Sequence, residues 1–518
     1  MALRRRAPAA GVEGPSLSDR AGRALGVNLL NTLASRLGTF AIGVALARIL
    51  GPEEFGTFAV ALLALLAVLS FNELGVSLAI VRWPGSPREI APTVTTVAVV
   101  SSAVIFVIAL IVAPWFCAAM GAPQATDVVR LMSVSVLISG IVATPAAMLQ
   151  REFRAGPRMV IDQVGNWSTA LVSIAMALAG MGAMSLAVGR VVGALLSAVL
   201  FLAWSPITLG FDRRVLRKLL AFGLPLAGSS VVVFAVTFVD QFLVGAMLGP
   251  VALGFYVLAF NLSSWPVAVF SQPVRQVAPA TFARLHADPP AQRRAFVLSV
   301  GLLTAVTVPI CLVLTGAATP LVELLYGAQW SPAAEALLWL GVLAGLRILF
   351  ELAYDYLVVL GNTRFVFAVQ LVWLAALFPG IYVGAELAGI AGAAAGQVVV
   401  ALGVVLPTYL VYLHHTGIGG RELGTRVALP LACGAGVALV AFGAQEVVAV
   451  DIAQLALAGA ALLGALGLQW RGIRAALRRL RSVLSDGAGD DAPASHETAI
   501  ATPATAQAPT VAAASGTP

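Results

Sequence analysis

Apolar residues run along this chain in blocks of about twenty, interrupted by short polar or glycine-containing breaks. A helix that crosses a bilayer needs roughly 20 mostly apolar residues. That template gives about fourteen segments: 25–50, 55–80, 92–117, 128–148, 159–179 and 184–204, then 224–248, 253–274, 296–317, 336–360, 365–383 and 388–413, and finally 427–442 and 452–468. The last two are short and rich in glycine, so their ends are the least sharply drawn.

One break occurs twice. "ARILGPEEFGTFAVALLALL" (Ala47 to Leu66) stops one apolar block and starts another, and "GAMLGPVALGFYVLAFNL" (Gly245 to Leu262) does the same. Leu50-Gly51-Pro52 falls on Leu248-Gly249-Pro250, and Gly56 falls on Gly254. Proline cannot donate to the preceding turn, so Gly-Pro ends a helix. The later glycine allows the next helix to start close to a neighbour. Further on, "GAMSLAVGRVV" (Gly182 to Val192) matches "GIAGAAAGQVV" (Gly389 to Val399), with Gly189 on Gly396. Echoes in the same order suggest a tandem duplication of a six-helix block in parallel orientation; chance likeness within apolar low-complexity sequence is the alternative. The expected fold is an all-α polytopic membrane protein with two pseudo-symmetric six-helix lobes plus two C-terminal helices. Its expected parts are an N-terminal tail (1–23), an N-lobe (24–204), a basic linker (205–222), a C-lobe (223–415), helices 13 and 14 (416–470) and a basic, then disordered tail (471–518).

Composition agrees. Of the 518 residues 60% are hydrophobic and 11% charged, against roughly 25% charged in a soluble domain. Basic residues mark the cytoplasmic connections of a membrane protein. With the N-terminus inside and the spans alternating, 25 of the 31 basic residues fall in inner segments. A span missed early would invert every later connection, so this placement supports both the count and cytoplasmic termini in an inner (plasma) membrane. Trp115 and Trp330 near outer ends, with Trp204 and Trp470 near inner ones, read as interfacial anchors. Cys117, Cys311 and Cys433 lie far apart in apolar runs and read as buried hydrophobes.

Ionisable groups inside a membrane default to functional candidates. Four arginines qualify: Arg36, Arg190, Arg275 and Arg347. Guanidinium binds phosphate bidentately and stays charged, so four of them between two lobes would form an anion-attracting chamber. Each alone could instead pair helices or snorkel. Asp240 is the lone acid of its apolar span and a candidate for titration or inter-lobe pairing. Arg347, Glu351 and Asp355 are spaced to share one helical face; the ladder either neutralises itself or serves ion coupling or gating. No phosphate-binding G-x-x-x-x-G-K-[ST] loop and no paired His/Cys metal spacing occurs. Neither a cofactor, a metal, an enzymatic activity nor a nucleic-acid partner is therefore expected.

"LARILGPEEFGTFAVA", "VDQFLVGAMLGPVALGFYVLAFNL" and "PVRQVAPATFARL" resemble the multidrug/oligosaccharidyl-lipid/polysaccharide exporter superfamily. The likeness is to its polysaccharide-transporter branch, the Wzx-type oligosaccharide flippases, and covers roughly residues 25–413. The resemblance implies flipping of an isoprenoid-diphosphate-linked oligosaccharide from the cytoplasmic to the outer leaflet for surface or exopolysaccharide assembly. The arginines would hold the diphosphate, and a lateral gap would admit the lipid tail. Membrane lipids, a polysaccharide polymerase and glycosyltransferases are the implied partners. Within the superfamily, a multidrug/cation antiporter and a lipid II flippase are the alternatives. Outside it, a multispan glycosyltransferase or polymerase would want a large outer loop with membrane-proximal acids, which this chain lacks.

Overall fold

The computed structural model describes residues 17–72, 80, 86–152, 154–286 and 288–486. Three long helices carry an internal break. Helix α1 (Leu17–Asn72) breaks at Gly51 and α6 (Arg213–Pro266) at Gly249. Helix α11 (Thr363–Val400) breaks at Ala388 and Gly389. Between them stand α2 (Pro87–Ala119), α3 (Thr126–Arg151), α4 (Ala155–Leu178) and α5 (Ala183–Trp204). After α6 a π-helical turn, Val267–Ser271, leads into α7 (Gln272–Arg284). Then come α8 (Pro289–Gly316), the short α9 (Ala318–Tyr326) and α10 (Ala333–Val359). A second π-helical turn, Ala401–Val405, joins α11 to α12 (Leu406–His415), followed by α13 (Gly420–Val447) and α14 (Asp451–Asp486).

Ten helical stretches among the described residues are long and apolar enough to cross a membrane. Three of these contain one of the breaks and so hold two arms. With the more polar α4 the arms number fourteen, as the hydropathy pattern anticipates. The last two helices run longer than their apolar cores. The basic segment expected as a tail continues α14 to Asp486, and the tail beyond it, expected to be disordered, lies outside the described residues.

The echoes in sequence are echoes in backbone. Gly51 sits at φ 73, ψ 173 and Gly249 at φ 83, ψ 179. Gly182 sits at φ 54, ψ −138 and Gly389 at φ 57, ψ −136. Positive φ is strained for any residue with a Cβ, so glycine is required at each. Paired helix breaks with matching, uncommon angles are what a duplicated unit produces.

The second glycine of each repeated break does press against a neighbour, and that neighbour is the other break. A Cβ on Gly56 would lie 2.2 Å from the Pro250 carbonyl oxygen, and one on Gly254 would lie 3.0 Å from the Gly56 Cα. Gly56→Val is therefore expected to lower stability by about 1–3 kcal/mol or more through overpacking, read as a fall in melting temperature. Gly43→Val, on the same helix with nothing within 4 Å of its Cβ position, should melt like the parent.

Helices α2 to α5 pack mainly on one another; in the second half α10 packs against both α8 and α11, with α13 and α14 laid against α8. Helix α1 meets α6 along the seam where the breaks touch. Trp330 completes this seam, and here the interfacial reading is wrong. Trp115 is 68% exposed, but Trp330 is fully buried, because the single turn Ala328–Trp330 that follows α9 sets its ring between the two breaks. Its indole N–H donates to the Ala47 carbonyl at 3.1 Å. Phe55 and Phe255, one from each break, meet its ring edge-on at 5.3 and 5.7 Å. Arg48 donates to the Leu324 and Leu325 carbonyls, which the end of α9 leaves without helical partners.

Candidate functional site

A polar chamber of about 290 Å3 opens among α6, α7, α10, α11 and α12, its described lining including Asp240, Arg275, Arg347, Glu351 and Gln397. The helices deliver these groups in a readable way. On α10, Arg347 and Glu351 lie one turn apart and face the same space, as their spacing requires. The π-helical turn Val267–Ser271 shifts the register of the chain entering α7 and brings Ser271 and Arg275 to face α10.

Each charge has a particular environment. Arg275 makes a two-pronged pair with Asp355, Nε to Oδ2 at 3.0 Å and Nη2 to Oδ1 at 3.3 Å. Its guanidinium carbon also lies 5.9 Å from the centre of the Tyr354 ring. The Ser271 hydroxyl donates to Glu351. Arg347 belongs to no ion pair among the described residues; its guanidinium lies 5.5 Å from the centre of the Phe260 ring. Asp240 is 3% exposed. It accepts from its neighbour Gln241 N–H at 2.8 Å, from Tyr256 OH at 3.0 Å and from Gln397 Nε2 at 3.5 Å. Gln397 Nε2 also donates to the Tyr256 oxygen. Burial of a carboxylate demands such partners.

The structure thus brings five of the seven candidates into one neighbourhood: Asp240, Arg275, Arg347, Glu351 and, through Arg275, Asp355. It differs from the expected four-arginine chamber in three respects. The described lining comes entirely from the second half of the chain, not from both lobes. The two arginines there face the carboxylates of Asp240 and Glu351, so charge among the described lining residues is balanced rather than cationic. And Arg190 is absent from that lining; it stands half-buried on α5. Arg36 lies within α1, and its side chain is outside the described residues.

The duplication explains the separate position of Arg190. In the second echo it falls on Gln397. In the first, Ile42 falls on Asp240 and Phe58 on Tyr256. Ile42 and Phe58 pack with Leu186 of α5 in an apolar cluster. The first half therefore holds an arginine where the second holds Gln397, with neither acid nor phenol to receive it. Tyr256, Gln397 and Ser271 were not singled out from sequence. Gln397 carried a signal, since it directly follows the repeated Gly396.

A second cavity of about 510 Å3 adjoins the first, between α8, α10, α12 and α13. Its lining is almost wholly apolar, with Leu312, Leu346, Leu406 and Leu431 typical. Phe350 and Tyr409 line both cavities. Their rings stack at 5.6 Å with planes 17° apart, forming a common wall.

A family model described as polysaccharide biosynthesis protein matches residues 45–335. The succinoglycan biosynthesis transport protein ExoT of Rhizobium meliloti is 28% identical over 313 residues, 58% of this chain and 62% of its own length. The teichuronic acid biosynthesis protein TuaB of Bacillus subtilis is 23% identical over 325 residues, 61% of this chain and 67% of its own. The chain thus matches about three-fifths of the first of these relatives. Among solved structures, the lipid II flippase MurJ in an inward closed conformation superposes with a TM-score of 0.70 at 12% identity, covering 85% of this chain and 99% of that one. An inward-facing multidrug resistance MATE family transporter of the MOP superfamily gives 0.59 at 15% identity, covering 73% and 94%. At such identities the likeness shows a shared fold, and function must be argued from the site.

Proposed function

Since the chain belongs to the polysaccharide biosynthesis protein family, we propose that it is a transporter that flips a lipid-diphosphate-linked oligosaccharide from the cytoplasmic to the outer leaflet. The observation that carries this reading is the wall shared by the two chambers. A polar chamber with two guanidinium groups lies on one side of Phe350 and Tyr409, and an apolar one on the other. That is the arrangement an amphiphile with an anionic head and a hydrocarbon chain requires. A wholly polar solute has no use for the apolar chamber.

Arg347 would take the diphosphate first, because no carboxylate competes for it at contact distance. Arg275 would follow by exchanging Asp355 for a phosphate oxygen, two acceptors with the same bidentate geometry. Asp240 and Glu351 would then serve coupling, a proton or cation neutralising a carboxylate as the substrate's charge arrives. Arg190 and Arg36, in the first half, would receive the head group as the lobes (24–204 and 223–415) rock in alternating access. The membrane is the inner (plasma) membrane, with both termini cytoplasmic, as the basic connections indicate. ExoT and TuaB, named for the biosynthesis of two surface polysaccharides, support a polysaccharide precursor as cargo.

The test is the leaflet in which the precursor accumulates. Deleting the gene should leave lipid-linked glycan on the cytoplasmic side, inaccessible to a glycan-modifying probe added outside intact spheroplasts. Normal outward labelling of the lipid-linked glycan in the deletion strain would refute the proposal.

A further inference from the structure

A third cavity, of about 440 Å3, lies at the basic face of the first half, between α2, α3 and the chain that follows α5. Its floor holds Thr95 and Thr144, both buried, with Thr95 donating to the Thr144 hydroxyl oxygen at 3.0 Å. Its rim holds Arg88, Glu152, Arg154 and Trp204. The Arg154 guanidinium carbon stands 5.1 Å from the centre of the Trp204 ring.

The remaining wall is residues 205–208, and it is fixed in place. The Thr96 hydroxyl donates to the Gly210 carbonyl at 2.8 Å, and the Asp212 N–H donates to Thr93 Oγ1 at 3.1 Å. Gly210 runs so close to α2 that a Cβ there would lie 2.7 Å from the Pro92 Cβ. The start of the connection between the halves is thus pinned along a helix, and the cavity beneath it is a built feature.

Helix geometry alone does not require this void. The corresponding helices of the second half, α8 and α10, meet at their basic-face ends through Phe296 and Tyr356, with Phe282 of α7 packed against both. Phe296 and Tyr356 stack at 4.3 Å, and Phe282 meets Tyr356 edge-on. The first half leaves the space open and rims it with charge.

Two guanidinium groups favour a phosphate. Glu152, whose Oε2 lies 4.0 Å from Arg154 Nη1 on the open rim, and the threonine hydroxyls suit a ligand that also bears hydroxyls. An exposed indole beside the basic connections sits at head-group depth. We propose that this cavity binds the head group of an anionic glycerophospholipid of the phosphatidylglycerol class, drawn from the leaflet on the basic face and distinct from the transported substrate. Bound there, the lipid bears directly on the segment that joins the halves.

The test uses the full-length protein in phosphatidylcholine nanodiscs titrated with phosphatidylglycerol, with retained lipid read by native mass spectrometry and stability by melting temperature. Phosphatidylglycerol should be retained with about tenfold preference over phosphatidylcholine, as expected where charge-assisted contacts select the head group. Arg88→Ala/Arg154→Ala should lose that preference while melting like the parent in phosphatidylcholine alone. The single variant Arg88→Ala should lose part of it, which keeps the test decisive if the double variant misfolds. Arg158→Ala, on the same face but outside the cavity, should behave as the parent. Undiminished preference in the arginine variants would overturn the site. Equal stabilisation by soluble glycerol phosphate would overturn its assignment to a lipid.

Discussion

Arg347→Ala is expected to reduce export of the lipid-linked glycan by about ten- to a hundredfold, with the variant still reaching the membrane in normal amount. A charge-assisted contact contributes roughly 1.5–3 kcal/mol, and each 1.4 kcal/mol or so is a factor of ten. Arg347 is the guanidinium in the chamber that is not already committed to a carboxylate at contact distance, so its loss has no nearby replacement. The rival role is charge balance, since Arg347 acts electrostatically on buried Asp240. The two roles separate in Arg347→Lys, which keeps the positive charge near Asp240 but cannot hold a phosphate bidentately. If Arg347 holds phosphate in this way, Arg347→Lys stays well below the parent. If it only balances Asp240, Arg347→Lys exports like the parent. Export is measured by complementation of a deletion strain and quantified as surface glycan, with membrane content checked by immunoblot. Parental export by Arg347→Lys would remove Arg347 from the bidentate binding role.

Much of this architecture was legible because its determinants are local. A run of apolar residues and a Gly-Pro stop are visible in any short window, and they gave the fourteen arms, the repeated break and the second echo. The side chains that share one helical face were legible too: the spacing of Arg347 and Glu351 placed both toward the same chamber on α10. What crosses between helices was not. Nothing near Arg275 in sequence announces Asp355, eighty positions away, nor does Ser271 announce Glu351. The π-helical turn that brings them into line has no plain sequence signature. The apolar chamber was invisible for a different reason. Its leucines and valines are the same residues that face lipid, and only three-dimensional packing tells an inward apolar face from an outward one. Arg190 was grouped with the other arginines because charge in a span was the only criterion. Aligned with Gln397, it stands in the first copy of a site where Ile42 and Phe58 occupy the positions of the acid and the phenol. Trp330 was read as interfacial from its place near a span end, and its burial depends on the turn after α9 meeting residues some 280 positions earlier.

That burial leads to the second large effect. Trp330 joins three elements on the face opposite the basic connections: the break in α1, the break in α6, and the short α9. Truncating a buried aromatic costs about 3–5 kcal/mol, and here the hydrogen bond to Ala47 and the ring contact with Phe55 bridge the two halves. In the alternating access proposed above, these contacts would exist only while that face is closed, so their loss would fall on one state and not the other. A ligand or mutation shifts a two-state balance by its differential effect; 3–5 kcal/mol in full would be roughly two to four powers of ten, and the share that bridges the halves at least about one. Trp330→Ala is therefore expected to open the outer face. The reporter is Ala47→Cys, buried beneath the indole, in a background with Cys117, Cys311 and Cys433 replaced by alanine. A membrane-impermeant maleimide added outside should label it slowly in the parent and at least about tenfold faster with Trp330→Ala. Trp330→Phe, which keeps a ring against Phe55 and Phe255 but loses the hydrogen bond to Ala47, should fall between. Leu340→Cys, buried in the core on α10, separates opening from unfolding, because it stays unlabelled if only the gate has moved. Unchanged labelling at Ala47→Cys would mean that the seam is held by the interlocked glycines Gly56 and Gly254 alone, with Trp330 merely filling space above them.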